Sequence, residues 1–334
     1  MFRAFFAFLL LSFFSSHAFA ADIPPMDKRL SGLDYPFKVD TYRFSSQGKD
    51  LEMAYMYLPP KSDKPVVTLL HGKNFNGAYW QQTAELLQDN GYGVLIPDQI
   101  GFGKSSKPTD YQYSFAALAT NTQGLLEKLD ISKSVIVGHS MGGMLATRFA
   151  LLFPEHTTKL VLVNPIGLEN YLLYEHYPDI EAAFQRELTK NPESIVTYQQ
   201  KNYYDGKWND DYASHAAFLQ GWIKGDDWPQ LARVAALTYD MILTQPVIED
   251  IGYIKMPSTL IIGTRDRTAP GRASKREMVT RELGRYDNLG MEVKQRNSTM
   301  FVVDLEGLGH LPQIEDFDRF KVPFLKAVEI APES

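Results

Sequence analysis

The sequence predicts an α/β fold: a mostly parallel central sheet flanked by helices, with a helical cap inserted into it. Three observations carry that expectation. Short, continuously apolar runs, such as Pro65 to Leu70, alternate with helix-patterned segments at short intervals. That is the rhythm of a parallel sheet covered on both faces. One such run, Ser134 to Val137, breaks into Gly138-His139-Ser140-Met141-Gly142 and resumes as the apolar, Ala-containing stretch Met144 to Leu152. This reads as strand, sharp turn, helix. From about Ile166 to Ile254 the alternation gives way to a polar, aromatic-rich segment of helical rhythm, and then returns.

Taken in order, Phe37 to Phe44 and Leu51 to Leu58 alternate as two strands, joined as a hairpin at Ser46 to Lys49. Pro65 to Leu70 and Tyr92 to Ile96 are buried strands, each followed by a glycine-containing loop: His71 to Gly77, and Pro97 to Ser105. Helices are expected over Tyr79 to Gln88 and Ser114 to Leu129, and a strand over Leu160 to Val163, ending at Asn164-Pro165. Beyond the cap come a strand at Ser258 to Ile262, a basic helix-and-loop region, a strand at Thr299 to Asp304 and a final helix from Phe317 to Val328. The expected organisation is a signal peptide over 1–20, core over 21–165, cap over 166–254, and the rest of the core over 255–334.

The chain has 334 residues, enough for a large core. Its composition, 44% hydrophobic and 22% charged, is that of a globular protein. Net charge is −6, with no basic stripe, so nucleic acid is not an expected partner. Arg3, the apolar run Ala4 to Phe14 and Ala18-Phe19-Ala20 have the three parts of a secretory signal, cleaved after Ala20, the rival reading being an uncleaved membrane anchor. The run is too short to span a bilayer, so an exported, periplasmic or secreted protein with no lasting membrane span is expected. The chain has no cysteine, hence no disulfide framework, thiolate nucleophile or Cys-ligated metal.

The serine at the sharp turn is the candidate nucleophile. Gly138 and Gly142 allow the tight turn, which forces Ser140 into strained backbone space and lifts its hydroxyl clear of the sheet. A hydroxyl attacks only when a base takes its proton, and that base needs an orienting partner. His310, in Gly307-Leu308-Gly309-His310, follows the last strand and can reach Ser140 from the sheet edge. Asp266 follows the strand Ser258 to Ile262 and is the candidate acid. The competing readings are a structural loop histidine, and an aspartate that caps its turn or pairs with Arg265 or Arg267. The rival acid position, at the end of the Leu160 to Val163 strand, holds the uncharged Asn164. The amides of Met141 and Lys73 are the candidate oxyanion donors. His139 is read as facing elsewhere, and Asp98 and Lys104 as loop structure.

Gly101-Phe102-Gly103 lacks the third glycine and following helix of a dinucleotide site, and no metal-binding spacing occurs. Neither cofactor nor metal is expected. Three of the four tryptophans fall in the inserted segment, which suggests an apolar acyl or alcohol pocket between cap and sheet. Any single helical aromatic is more readily explained as core packing.

His71-Gly72, the Asp98 to Ser105 loop, the G-H-S-M-G-G turn, Gly263 to Asp266 and Gly309-His310 together resemble the α/β-hydrolase superfamily. The resemblance covers nearly the whole mature chain. The D-Q-I-G-F-G-K-S loop and the cap are similar to the branch holding epoxide hydrolases, haloalkane dehalogenases, C–C bond hydrolases and small esterases. The first two use an aspartate where this chain has Ser140, so the resemblance implies a serine member that cleaves esters, lactones, amides or C–C bonds beside a carbonyl. An ester or lactone with an apolar body is the expected substrate. The alternatives are a C–C hydrolase, which export disfavours, an amidase, and a non-catalytic binding protein on the same scaffold. Oligomeric state is left open. If residues 1–20 are a cleaved signal, intact-mass analysis of protein recovered after export will find Ala21 as its first residue; a mass retaining Met1 to Ala20 would refute the cleavage.

Overall fold

The computed structural model describes residues 23–329. The signal peptide over 1–20 and its cleavage site after Ala20 lie outside the described residues. The strands, in chain order β1 to β8, are Val39–Ser46, Lys49–Leu58, Val66–Leu70, Gly93–Pro97, Ser134–His139, Thr157–Val163, Ser258–Gly263 and Phe301–Leu305. The helices, α1 to α10, are Gln81–Asp89, Phe115–Lys128, Met141–Leu152, Ile180–Leu188, Pro192–Asn202, Asp210–Lys224, Trp228–Thr244, Tyr286–Arg296, Pro312–Glu315 and Phe317–Val328.

All eight strands form one sheet in the order β1-β2-β4-β3-β5-β6-β7-β8. The β1–β2 and β2–β4 pairs are antiparallel, and every pair from β4 to β8 is parallel. The hairpin turns on Gln47 and Gly48, at φ 53° and 71°, the left-handed pair that matches strand twist in a two-residue turn. Side chains of the parallel strands alternate between two cores. Leu160 and Leu162 of β6 pack with Phe115, Leu145, Phe149 and Leu289 of α2, α3 and α8. Val161 and Val163 face the other way, onto Leu87, Phe320 and Phe324 of α1 and α10. Burial on both faces is why these strands read as unbroken apolar runs.

Several boundaries differ from the sequence expectation. Strand β5 runs on to His139 because its pairing with β6 continues through His139 and Val163. Helix α3 then opens at Met141, directly after the serine. The helix expected from Tyr79 begins as a single tight turn, Gly77–Trp80, capped by the Asn76 side chain, and becomes α-helical only at Gln81. Thr299 does not start a strand: its amide and hydroxyl both donate to the Asn297 side chain, which holds a turn until β8 begins at Phe301.

The segment 166–254 contains α4 to α7 and, apart from one bridge between Glu175 and Lys275, no strand pairing among the described residues. It is a helical cap, with α4 packed on α7 and α5 on α6. The stretch before β1 is a strap between cap and core. The Met26 amide donates to the Gly221 carbonyl at 2.9 Å, and the Trp222 indole donates to the Asp27 carbonyl at 3.0 Å. From the same strap, the Arg29 guanidinium donates to the Lys104 carbonyl at 2.7 Å on the core side.

Asp98, just after β4, is a buried hub. Its carboxylate accepts from the Gly77 amide, the Lys104 amide and the Tyr35 hydroxyl, each at 2.7 Å. The role is structural, as the sequence suggests: it ties the strap, the turn before α1 and the Gly-rich loop together. Asp98→Ala would leave all three donors without their carboxylate. Each orphaned buried donor costs about 1–3 kcal/mol, so we expect a loss of about 3 kcal/mol or more, read as a lower urea midpoint with an unchanged slope. A midpoint matching wild type would refute the hub.

Candidate active site

The turn between β5 and α3 holds Ser140 at φ 57° and ψ −122°. The neighbouring glycines are obligatory because of space. A methyl on Gly138 would overlap the Gly142 carbonyl, and one on Gly142 would overlap the Leu70 carbonyl. Main-chain hydrogen bonds fix the serine. Its amide donates to the Val163 carbonyl at 3.2 Å, and its carbonyl accepts from Gly143 at 2.9 Å and Ile166 at 3.2 Å. The residue is 6% exposed.

The structure brings Ser140, His310 and Asp266 into one hydrogen-bonded line. His310 Nε2 lies 3.0 Å from Ser140 Oγ, and His310 Nδ1 lies 2.6 Å from Asp266 Oδ2. Both His310 and Asp266 are fully buried. Burial pulls the Asp266 carboxyl upward, but the charge and hydrogen bond of His310, with donation from Thr268, outweigh it and hold the carboxyl below its usual value. An ionised carboxylate can only accept, so Nδ1 carries the imidazole proton. Nε2 is thereby left as an acceptor for the serine proton.

The competing readings of Asp266 can be checked against its neighbours. Arg265 pairs with Glu315, and Arg267 pairs with Asp287 at 3.6 Å while donating to the carbonyls of Thr264 and Asp266. The Asp266 carboxylate is left to His310, to the Thr268 amide at 2.7 Å, and to the Asn164 side-chain amide at 2.9 Å. Asn164, considered only as the rival acid position, thus orients the acid. Its own side-chain oxygen accepts from the Gly263 amide at 2.9 Å, which fixes which way its amide points.

Met141 is the first residue of α3, so its amide has no intrahelical acceptor and lies at the positive end of the helix dipole. Lys73 lies in the loop after β3. That loop runs against the elbow: a methyl on Gly72 would sit 3.2 Å from Ser140 Cβ. Among the described residues neither the Met141 nor the Lys73 amide donates to an acceptor within the chain. No three His, Cys, Asp or Glu side chains cluster as a metal site among the described residues.

Besides Asn164, two residues of the site were not legible as such in the sequence. Tyr203, from the cap, stacks on the His310 ring at 4.7 Å between centroids, and its hydroxyl accepts from Asn74 at 2.9 Å. His139 turns toward Tyr79 and the His310 backbone. Its Nε2 donates to the His310 carbonyl at 2.8 Å, so its Nδ1 accepts from the Tyr79 hydroxyl at 3.0 Å, which itself accepts from the Gly72 amide. This relay joins the Lys73 loop to the His310 loop and uses a neutral imidazole. Burial, and then the neighbouring His310, hold His139 well below the usual histidine value. The only sequence signal was its place beside Ser140 at the end of a buried strand.

A cavity of about 50 Å³ opens between cap and core, lined by Lys73, Phe102, Trp222, Trp228, Leu231 and Val234 among others. The cap aromatics divide accordingly. Tyr204 stacks on Tyr212 at 3.7 Å within the cap, whereas Trp222 and Trp228 face the cavity.

Residues 65–316 match the family described as alpha/beta hydrolase fold, and the chain belongs to that family. It is similar to a probable hydrolytic enzyme from Pseudomonas aeruginosa PAO1, with 41% identity over 92% of this chain and 99% of that one, at a TM-score of 0.89. An AB hydrolase superfamily protein of Bacillus subtilis is 31% identical over an alignment of 144 positions that covers 38% of this chain and 50% of that protein. A thermophilic esterase from Thermogutta terrifontis shares the fold at 19% identity and a TM-score of 0.63, over 86% of this chain and 97% of that one. The chain spans between 30% and 50% of the length of such curated relatives.

The buried neutral imidazole of His139 has a consequence for acid stability. Its folded value lies below the unfolded value of about 6.5, so below that pH the unfolded chain binds the extra proton and stability falls. Each such histidine contributes a slope of up to about 1.4 kcal/mol per pH unit. His139→Gln keeps a donor toward the His310 carbonyl and removes the titration. Between pH 7 and 5 the variant should lose less unfolding free energy than wild type in urea titrations; parallel losses would contradict a neutral His139.

Proposed function

We propose that the protein is a serine hydrolase that cleaves a carboxylic ester or lactone with an apolar body through an acyl-enzyme intermediate. The observation that carries this reading is the continuous Ser140–His310–Asp266 hydrogen-bonded line at a strained turn. Ser140 Oγ attacks the carbonyl carbon while His310 Nε2 takes its proton. Asp266 keeps the imidazole in the required tautomer and balances the imidazolium. The carbonyl oxygen becomes an oxyanion held by the Met141 and Lys73 amides. The imidazolium returns its proton to the leaving oxygen, and the acyl group stays on Ser140. Water then attacks that ester with His310 again as base, releasing the acid.

Apolar cavity walls at Trp222, Trp228 and Phe102 support an apolar substrate body. The signal-like residues 1–20 support an exported enzyme.

The test is labelling with a fluorophosphonate together with turnover of short- and medium-chain esters. Wild type should label and turn over. Ser140→Ala should not label, and Ser140→Ala and His310→Ala should each lower kcat by about 10⁴-fold or more. Labelling that persists in Ser140→Ala would overturn the nucleophile. Absence of labelling and turnover in wild type would favour a binding protein on a hydrolase scaffold.

A further inference from the structure

The Lys73 side chain is unlike the other lysines near the cap. Lys107 uses its ammonium on three main-chain carbonyls, those of Phe102, Gly103 and Ser105. Lys190 pairs with Glu187 at 2.6 Å. Lys73 crosses from the loop beside the elbow to α7, where its Nζ donates to the Ala235 carbonyl at 3.0 Å and the Thr238 hydroxyl at 3.2 Å. An ammonium has three donors, so one remains. No carboxylate of the described residues comes within ion-pairing distance of it.

The setting makes that missing partner informative. Lys73, Glu187 and Lys190 are the ionisable residues lining the cavity, and Glu187 is already paired with Lys190, so the cavity holds one positive charge in excess. The walls otherwise include the apolar side chains of Phe102, Trp222, Trp228 and Val234. A half-buried ammonium held only by a carbonyl and a hydroxyl is left open to a counter-charge. Burial, with Lys190 and Arg186 adding to it and Glu187 opposing, pushes Lys73 down to about 8, and a bound anion would raise it again.

We propose that Lys73 binds an anionic group of the substrate, a carboxylate, so that the preferred ester or lactone is negatively charged on the portion that enters the cap cavity. The inference rests on the hydrolase reading above, because the carboxylate is placed by its distance from the attacked carbonyl. Lys73 contributes its amide to the oxyanion and its ammonium to the cavity. The bound carboxylate therefore lies about one lysine stem away from the reacting carbon, roughly four to six bonds along the substrate. The apolar body bridges the two along the tryptophan wall. The two hydrogen bonds to α7 aim the ammonium, and the remaining N–H meets the carboxylate.

The experiment compares ethyl hemiesters of the dicarboxylic acids from succinate to suberate with ethyl esters of the matching monocarboxylic acids, by pH-stat at pH 7. Wild type should favour the hemiester by about tenfold or more in kcat/KM at one chain length. Lys73→Met should lower that preference at least tenfold, whatever it does to the absolute rates, and Lys73→Arg should recover part of it. Taking the ratio removes any disturbance of the oxyanion loop, which both esters share. The free dicarboxylate of the preferred length should also raise the Tm of wild type, and not that of Lys73→Met, relative to the matching diol. Equal use of both esters at every length, or a preference that survives in Lys73→Met, would overturn the anion site and leave the hydrolase standing. If neither ester is turned over, the Tm comparison decides the anion site alone, while loss of Ser140 labelling falls on the hydrolase reading.

Discussion

The backbone of Ser140 sits in a region of φ/ψ space that side chains rarely enter, and the rest of the site depends on its being held there. Such strain costs about 1–3 kcal/mol. Three main-chain hydrogen bonds, to Val163, Gly143 and Ile166, offset it at about 0.5–1.5 kcal/mol each. The packing of Gly138 and Gly142 against carbonyls of the turn and of β3 closes off relaxed alternatives. The restraint comes from three strands and a helix at once. Ser140 therefore cannot relax without opening the middle of the sheet, and its hydroxyl, the His310 ring and the free amide of Met141 keep their relative positions.

Around that fixed point, charge is arranged with little waste. Asp266 is fully buried yet stays ionised, since His310, Thr268 and Asn164 together supply what water would. Asn164 does this without adding a second negative charge, which would compete for the same proton. His139 supports the opposite requirement. A neutral ring between Tyr79 and the His310 backbone ties two loops together and places no positive charge beside the base.

What the sequence disclosed follows from which forces are local. Parallel strands buried on both faces announce themselves as apolar runs, so β3, β4, β5 and β7 were visible, and Gly138 and Gly142 marked the turn by sterics alone. His310 and Asp266 were legible because both follow strands at the same sheet edge. Boundaries were less so. Where β5 ends is decided by its pairing with β6, and Thr299 is withheld from β8 by the Asn297 side chain; neither is a propensity of the residue concerned. Tyr203 and Asn164 stayed hidden for a related reason. Each acts through a contact across about a hundred positions, Tyr203 on His310 and Asn164 on Asp266, and no local pattern encodes such a meeting. The cap's aromatics announced an apolar interior without revealing which of them face the cavity.

The strap before β1 bears on how the molecule is assembled. The Lys28 amide meets the Asp227 carboxylate across 199 positions, so the strap completes its contacts with the cap only across a long stretch of chain. Closing so long a loop is entropically unfavourable until the intervening strands have collapsed. The cap helices thus acquire their outer buttress only late in folding. A chain halted before Asp227 would hold β1 to β6 and the elbow but lack the carboxylate that receives the Lys28 amide.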